Sequence, residues 1–110
     1  MKKNVLIALS MAVFALNATA ADINAGKAKA EAQCAACHAA NNDWNKPIDP
    51  SYPKLAGQHK DYLAEVLKQY QNGGRNNAIM VGQAATLSKD DISNLAAFLA
   101  SLPSDLYLKK

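Results

Sequence analysis

The chain has 110 residues, 50% of them hydrophobic and 19% charged, with a formal net charge of +3, two Cys, two His and one Trp; it is long enough for one small domain. Residues 1–20 read as a leader, and without them 90 residues carry ten basic against nine acidic groups. That balance removes the electrostatic motive for nucleic-acid binding, leaves no apolar run long enough for a membrane span, and makes a core so small that a disulfide, metal or cofactor is expected to staple it.

Met1-Lys2-Lys3 is a short cationic start, Val5 to Leu16 is apolar except for Ser10, and Ala18-Thr19-Ala20 offers small residues for a peptidase. This is the pattern of a secretory signal peptide cleaved after Ala20, against the alternative of an N-terminal core helix. Ala21 rather than Cys follows the site, so no lipid is expected there, and Lys2-Lys3 without a twin arginine implies export of an unfolded chain. Residues 21–110 are then the mature domain, and any cofactor is inserted after export.

Asp22 to Ala36 is rich in Ala, Lys and Glu and favours helix on propensity, although its apolar period is weak. Ala39 to Gly57 holds Asn41-Asn42-Asp43, Pro47, Pro50 and Pro53 and reads as a loop. Lys60 to Gln71 returns to helix, with Tyr62, Leu63, Val66, Leu67 and Tyr70 on one stripe and Asn72-Gly73-Gly74 as a left-handed stop. Arg75 to Leu87, with Gly82 and no strong period, reads as a second loop, carrying Met80. Ser88 and Asp91 make a shortened capping box for a last helix. Its buried stripe is Ile92, Leu95, Ala96, Leu99 and Leu102, with Phe98 at the edge, and Pro103 ends it. The fold class is all-α: three main helices and two long loops. Loops of that length in so small a domain call for a reason, and a large cofactor wrapped by them is one.

Cys34-Ala35-Ala36-Cys37-His38 is a C-x-x-C-H segment, the haem c attachment signature. Its thiols stand one helical turn apart, so each can add across one vinyl group of a haem while the adjacent His reaches the iron. A Cys34–Cys37 disulfide would staple almost no chain. A zinc site would need further ligands, and a thioredoxin-type pair belongs beside a βαβ pattern that is missing here. His38 is the proximal candidate. Met1 and Met11 leave with the leader, which makes Met80 the one thioether of the mature chain and the candidate distal ligand; bis-His ligation through His59 and an open iron position remain as alternatives.

With these segments in view, the chain resembles the class I cytochromes c, specifically the short bacterial periplasmic branch that includes the dihaem cytochromes called c-four. The likeness rests on the attachment motif, Tyr52-Pro53-Lys54-Leu55-Ala56-Gly57-Gln58, Asn72-Gly73-Gly74-Arg75, Met80 and the Leu87–Ile92 helix start, and covers essentially the whole mature chain. It implies a class I cytochrome c fold around one covalently bound haem c. It further implies that the Pro53 carbonyl accepts from the His38 ring and that Gly26 lets the first helix cross the last beside Phe98, with Ala30 where an aromatic is usual. Arg75 becomes a candidate contact for a haem propionate, against a plain exposed helix-end arginine. Trp44, in a loop longer than the shortest relatives have, is expected at a haem edge or on a partner surface.

The expected role is periplasmic single-electron transfer, without catalysis, between redox proteins such as a quinol-oxidising complex, a terminal oxidase or a periplasmic dehydrogenase. The competing roles are a haem-based small-ligand sensor or peroxidase-like enzyme with a dissociable Met80, and a fixed cytochrome subunit of a heteromeric dehydrogenase. Leu55, Leu63, Leu67, Ile79, Leu95 and Leu99 are expected to flank the haem. Lys54, Lys60, Lys68 and Lys89 are either a docking ring or ordinary solvated lysines.

Overall fold

The computed structural model describes Ser10 and residues 20–106; the remainder of the expected leader, with Met1 and Met11, lies outside the described residues. Five α-helices follow one another among the described residues, with no strand: α1 Ile23–Gln33, α2 Ala35–His38, α3 Lys60–Asn72, α4 Ala78–Ala84 and α5 Lys89–Ser101. A single 3-10 turn, Ala40–Asn42, follows α2.

The all-α expectation holds, with corrections. The helix expected over Asp22–Ala36 breaks at Cys34, whose φ of −109° departs from helical values. Ala-rich sequence continues through the break, so propensity does not mark it; the break turns Ala35, His38 and Ala39 inward, where all three are buried. The stretch expected as a second loop contains α4, so Met80 stands on a helix. Asn77, in extended conformation, accepts the Met80 N–H at 3.0 Å and starts this helix. Seven residues make too few turns to display an apolar period, which is why it reads as loop.

The frame is the crossing of α1 over α5. Asp22 caps α1 by accepting from the Ala25 N–H at 3.0 Å, and its own N–H donates to Asn94 of α5 at 2.8 Å. Gly26 is buried at the contact: a Cβ there would overlap the Asn94 carbonyl and stand 3.0 Å from the Phe98 Cβ. α5 begins with the full capping box, Ser88 Oγ accepting from the Asp91 N–H at 3.0 Å and Asp91 accepting from the Ser88 N–H at 2.9 Å. It buries Ile92, Leu95, Ala96 and Leu99 as expected, and Phe98, expected at the edge, is buried with them. α3 packs on the other side of α5 and ends where Gly73 adopts φ +86°.

The segment after α2 is ordered by its own polar groups. Asn41 and Asn42 take positive φ, which asparagine tolerates, and the Ile48 N–H returns to the Cys37 carbonyl at 3.1 Å. The Asn45 amide then clasps the tail, donating to Pro103 O and accepting from the Asp105 N–H, both at 3.0 Å. Trp44 occupies neither of its expected positions. It is buried, packed edge-on against Phe98 with ring centres 5.9 Å apart. The aromatic partner that α1 lacks at Ala30 is thereby supplied from the loop.

Candidate cofactor site

Between α2, α3, α4 and α5 lies a cavity of about 560 Å³, within the range of cofactor sites. Cys34, Cys37 and His38 form one wall, Met80 another, and Pro53 and Arg75 also line it, so all six sequence-derived site residues meet here. Leu55, Leu63, Leu67, Ile79, Leu95 and Leu99, the six apolar residues expected around the cofactor, all line it as well.

The break at Cys34 and the single turn of α2 set the motif: the His38 N–H bonds the Cys34 carbonyl at 3.0 Å, which holds Cys34, Cys37 and His38 within one turn. His38 is buried, and its Nδ1 lies 2.8 Å from the Pro53 carbonyl. A carbonyl only accepts, so Nδ1 carries the proton and Nε2 keeps the lone pair. Tyr52 stands beside the ring, centres 6.1 Å apart. Both thiols are free. Burial pushes the Cys34 thiol up to about 11, with Lys29 opposing the shift, so it is a protonated thiol at neutral pH.

Arg75 is half-buried at the end of α3. Its guanidinium donates to the Tyr62 hydroxyl at 3.0 Å and to Gln69 at 3.3 Å, and lies 5.9 Å from the centres of both the Tyr62 and Tyr70 rings. Hydrogen bonding to Tyr70, then Tyr62, raises its pKa further. Sequence spacing does not reveal this cluster, although both tyrosines belong to the α3 stripe. Arg75 is thus a part-buried residue that lines the cavity.

The rival ligand His59 is exposed at the N-cap of α3 and does not line the cavity. Among the described residues no three His, Cys, Asp or Glu side chains converge as ligands for a bare metal ion. Of the four lysines considered for docking, Lys54 is committed to Asp105 at 3.0 Å, while Lys60, Lys68 and Lys89 are exposed. Two thiols, an imidazole with a free lone pair, a thioether and an apolar cavity form a donor set that fits a covalently attached haem.

The family description Cytochrome c matches residues 23–103. Cytochrome c4 of Pseudomonas aeruginosa is 40% identical over 88% of this chain and 46% of its own length. Cytochrome c-554(548) of Halomonas halodenitrificans is 39% identical over 74% of this chain and 98% of its own length. Among solved structures, reduced cytochrome c4 from Pseudomonas stutzeri superposes with a TM-score of 0.60 at 32% identity, covering 76% of this chain and 50% of that one. The chain therefore spans about half the length of the cytochrome c4 proteins it matches and nearly the whole of the Halomonas protein.

Proposed function

Since the chain belongs to the cytochrome c family, in the c4 branch with the class I fold, and its cofactor is haem c, we propose that it is a single-electron carrier whose iron is held between His38 and Met80. The haem supplies reversible one-electron chemistry at its iron. Cys34 and Cys37 would hold it covalently, and His38 Nε2 and the Met80 thioether would ligate its iron. The Pro53 carbonyl fixes the orientation of the His38 ring, and Arg75, beside Tyr62 and Tyr70, would meet a propionate.

The observation that carries this reading is that one apolar cavity has the protonation-locked imidazole and the mature chain's single Met on its walls. With His38 and Met80 both as ligands, the iron would keep no position open to a substrate, which suits a carrier. In this reading residues 1–20 are removed as a signal peptide and the carrier works in the periplasm, between respiratory or dehydrogenase redox proteins such as a quinol-oxidising complex or a terminal oxidase. Among the described residues no helix is long and apolar enough to cross a membrane.

The test is the visible spectrum of the matured protein, oxidised and reduced, with and without carbon monoxide. A low-spin spectrum with a weak far-red Met-to-iron band, unchanged by carbon monoxide, is expected. Ready binding of carbon monoxide would overturn the reading in favour of a sensor or enzyme.

A further inference from the structure

α4 is poorly supported by packing. It has seven residues, of which Ala84 alone is buried, while Ile79 is 53% and Val81 37% exposed. A helix that short does not hold itself in water, and its last carbonyls have no partners within the helix. The Ala84 carbonyl accepts locally from the Leu87 N–H at 3.1 Å and the Gln83 carbonyl from the Thr86 hydroxyl at 3.0 Å, and two glutamines from other helices add bonds to the same end. Gln71 of α3 donates through Nε2 to the carbonyls of Ala84 at 2.8 Å and Leu87 at 2.9 Å. Gln33, the last residue of α1 and the neighbour of Cys34, donates through Nε2 to the Gln83 carbonyl and to Thr86 Oγ1, both at 2.9 Å. Three of these four acceptors are carbonyls, so the amide nitrogens must face them. At the other end, Asn77 bonds the N–H of Met80 itself.

We propose that Gln71 and Gln33 are positioning residues for Met80: side-chain clamps that fix α4 against the walls holding the Cys34–His38 motif, and so keep the thioether on the iron. The inference rests on the Met80 ligation proposed above. Gln33 lines the cavity and Gln71 does not; both act on the C-terminal end of α4 and the turn that follows it. A clamp of this kind sets how often Met80 leaves, and hence how readily an outside ligand takes its place.

The test is imidazole binding to the oxidised holoprotein, followed in the visible spectrum, for wild type, Gln71→Ala, Gln33→Ala and the isosteric Gln71→Glu, whose ionised carboxylate has no proton to donate. Removing one clamp is expected to tighten apparent imidazole affinity about fivefold to thirtyfold, the effect of losing one or two ordinary hydrogen bonds. Gln71→Glu should do at least as much, and Gln71→Ala should have no effect in a Met80→Ala background. Wild-type affinity in both Ala variants overturns the proposal, even if their denaturation midpoints fall, because a merely structural role lowers the midpoint alone. An equal effect with and without Met80 also overturns it. If instead wild type lacks the far-red band and binds imidazole as tightly as Met80→Ala, the ligation reading has failed and the clamp falls with it.

Discussion

Asp91 closes the α5 capping box and also stands 3.7 Å from the Lys29 ammonium. The Ser88 N–H holds its carboxyl below the usual carboxylate range, with desolvation opposing and the Ser88 hydroxyl and Lys29 assisting. A depressed folded pKa stabilises the fold fully above the unfolded carboxylate value, about 3.9, and the contribution fades as pH falls through the folded one. Wild-type holoprotein should therefore lose melting temperature more steeply below about pH 4 than Asp91→Asn, which keeps its charge state throughout. Parallel pH profiles for the two would show that the box contributes nothing through ionisation.

At the scale of the element, Gly26 sets two effects against each other. Alanine there would gain about 1 kcal/mol of helix propensity, but its methyl would overlap the backbone carbonyl of Asn94, which belongs to α5 and cannot rotate aside. Overpacking of this kind costs about 1–3 kcal/mol. Gly26→Ala is accordingly expected to lower the denaturant midpoint; a raised midpoint would mean that α1 separates from α5 at little cost. The same contrast decides which elements were legible in the sequence. α3 and α5 carry their own signals, a stripe with a glycine stop and a capping box with a proline end, and both stand within a residue of their expected bounds. α1 buries only Gly26 and Ala30 and so shows no period, and its break at Cys34 is imposed by what the next turn has to bury. α4 is capped by Asn77 but held by residues far along the chain, information that no local window contains. At the site, the attachment motif and Met80 stand out because residues 20–106 hold two Cys and one Met, which offers few choices. The cluster of Arg75 with Tyr62 and Tyr70, and Trp44 turning inward to Phe98, depend on tertiary neighbours and leave no spacing signal.

For the whole molecule, α2, α3, α4 and α5 all contribute side chains to the cavity, while α1, apart from its last residue Gln33, supports α5 from outside it. Leu63, Leu95 and Leu99 are buried yet also line the cavity, and Leu55 and Leu67 pack only partly against the buried cluster. A haem seated there would complete the core, since a chain of this size has little else with which to offset the loss of conformational freedom. Far-ultraviolet circular dichroism of a Cys34→Ala, Cys37→Ala double variant should show weak helix. A native-like spectrum would mean that the protein core suffices alone.

The crossing of α1 over α5 brings together residues 72 positions apart, as in the bond from Asp22 to Asn94. A contact of such separation must offset the entropy of closing the chain between its ends. Whenever the chain emerges N-terminus first, α1 waits for almost the entire remaining sequence before it has a surface to cover Gly26. Cys34, Cys37 and His38 directly follow α1, so they too stay open during that wait. The order of residues along the chain thereby creates an interval in which a large flat group can reach both thiols, and the arrival of α5 ends it.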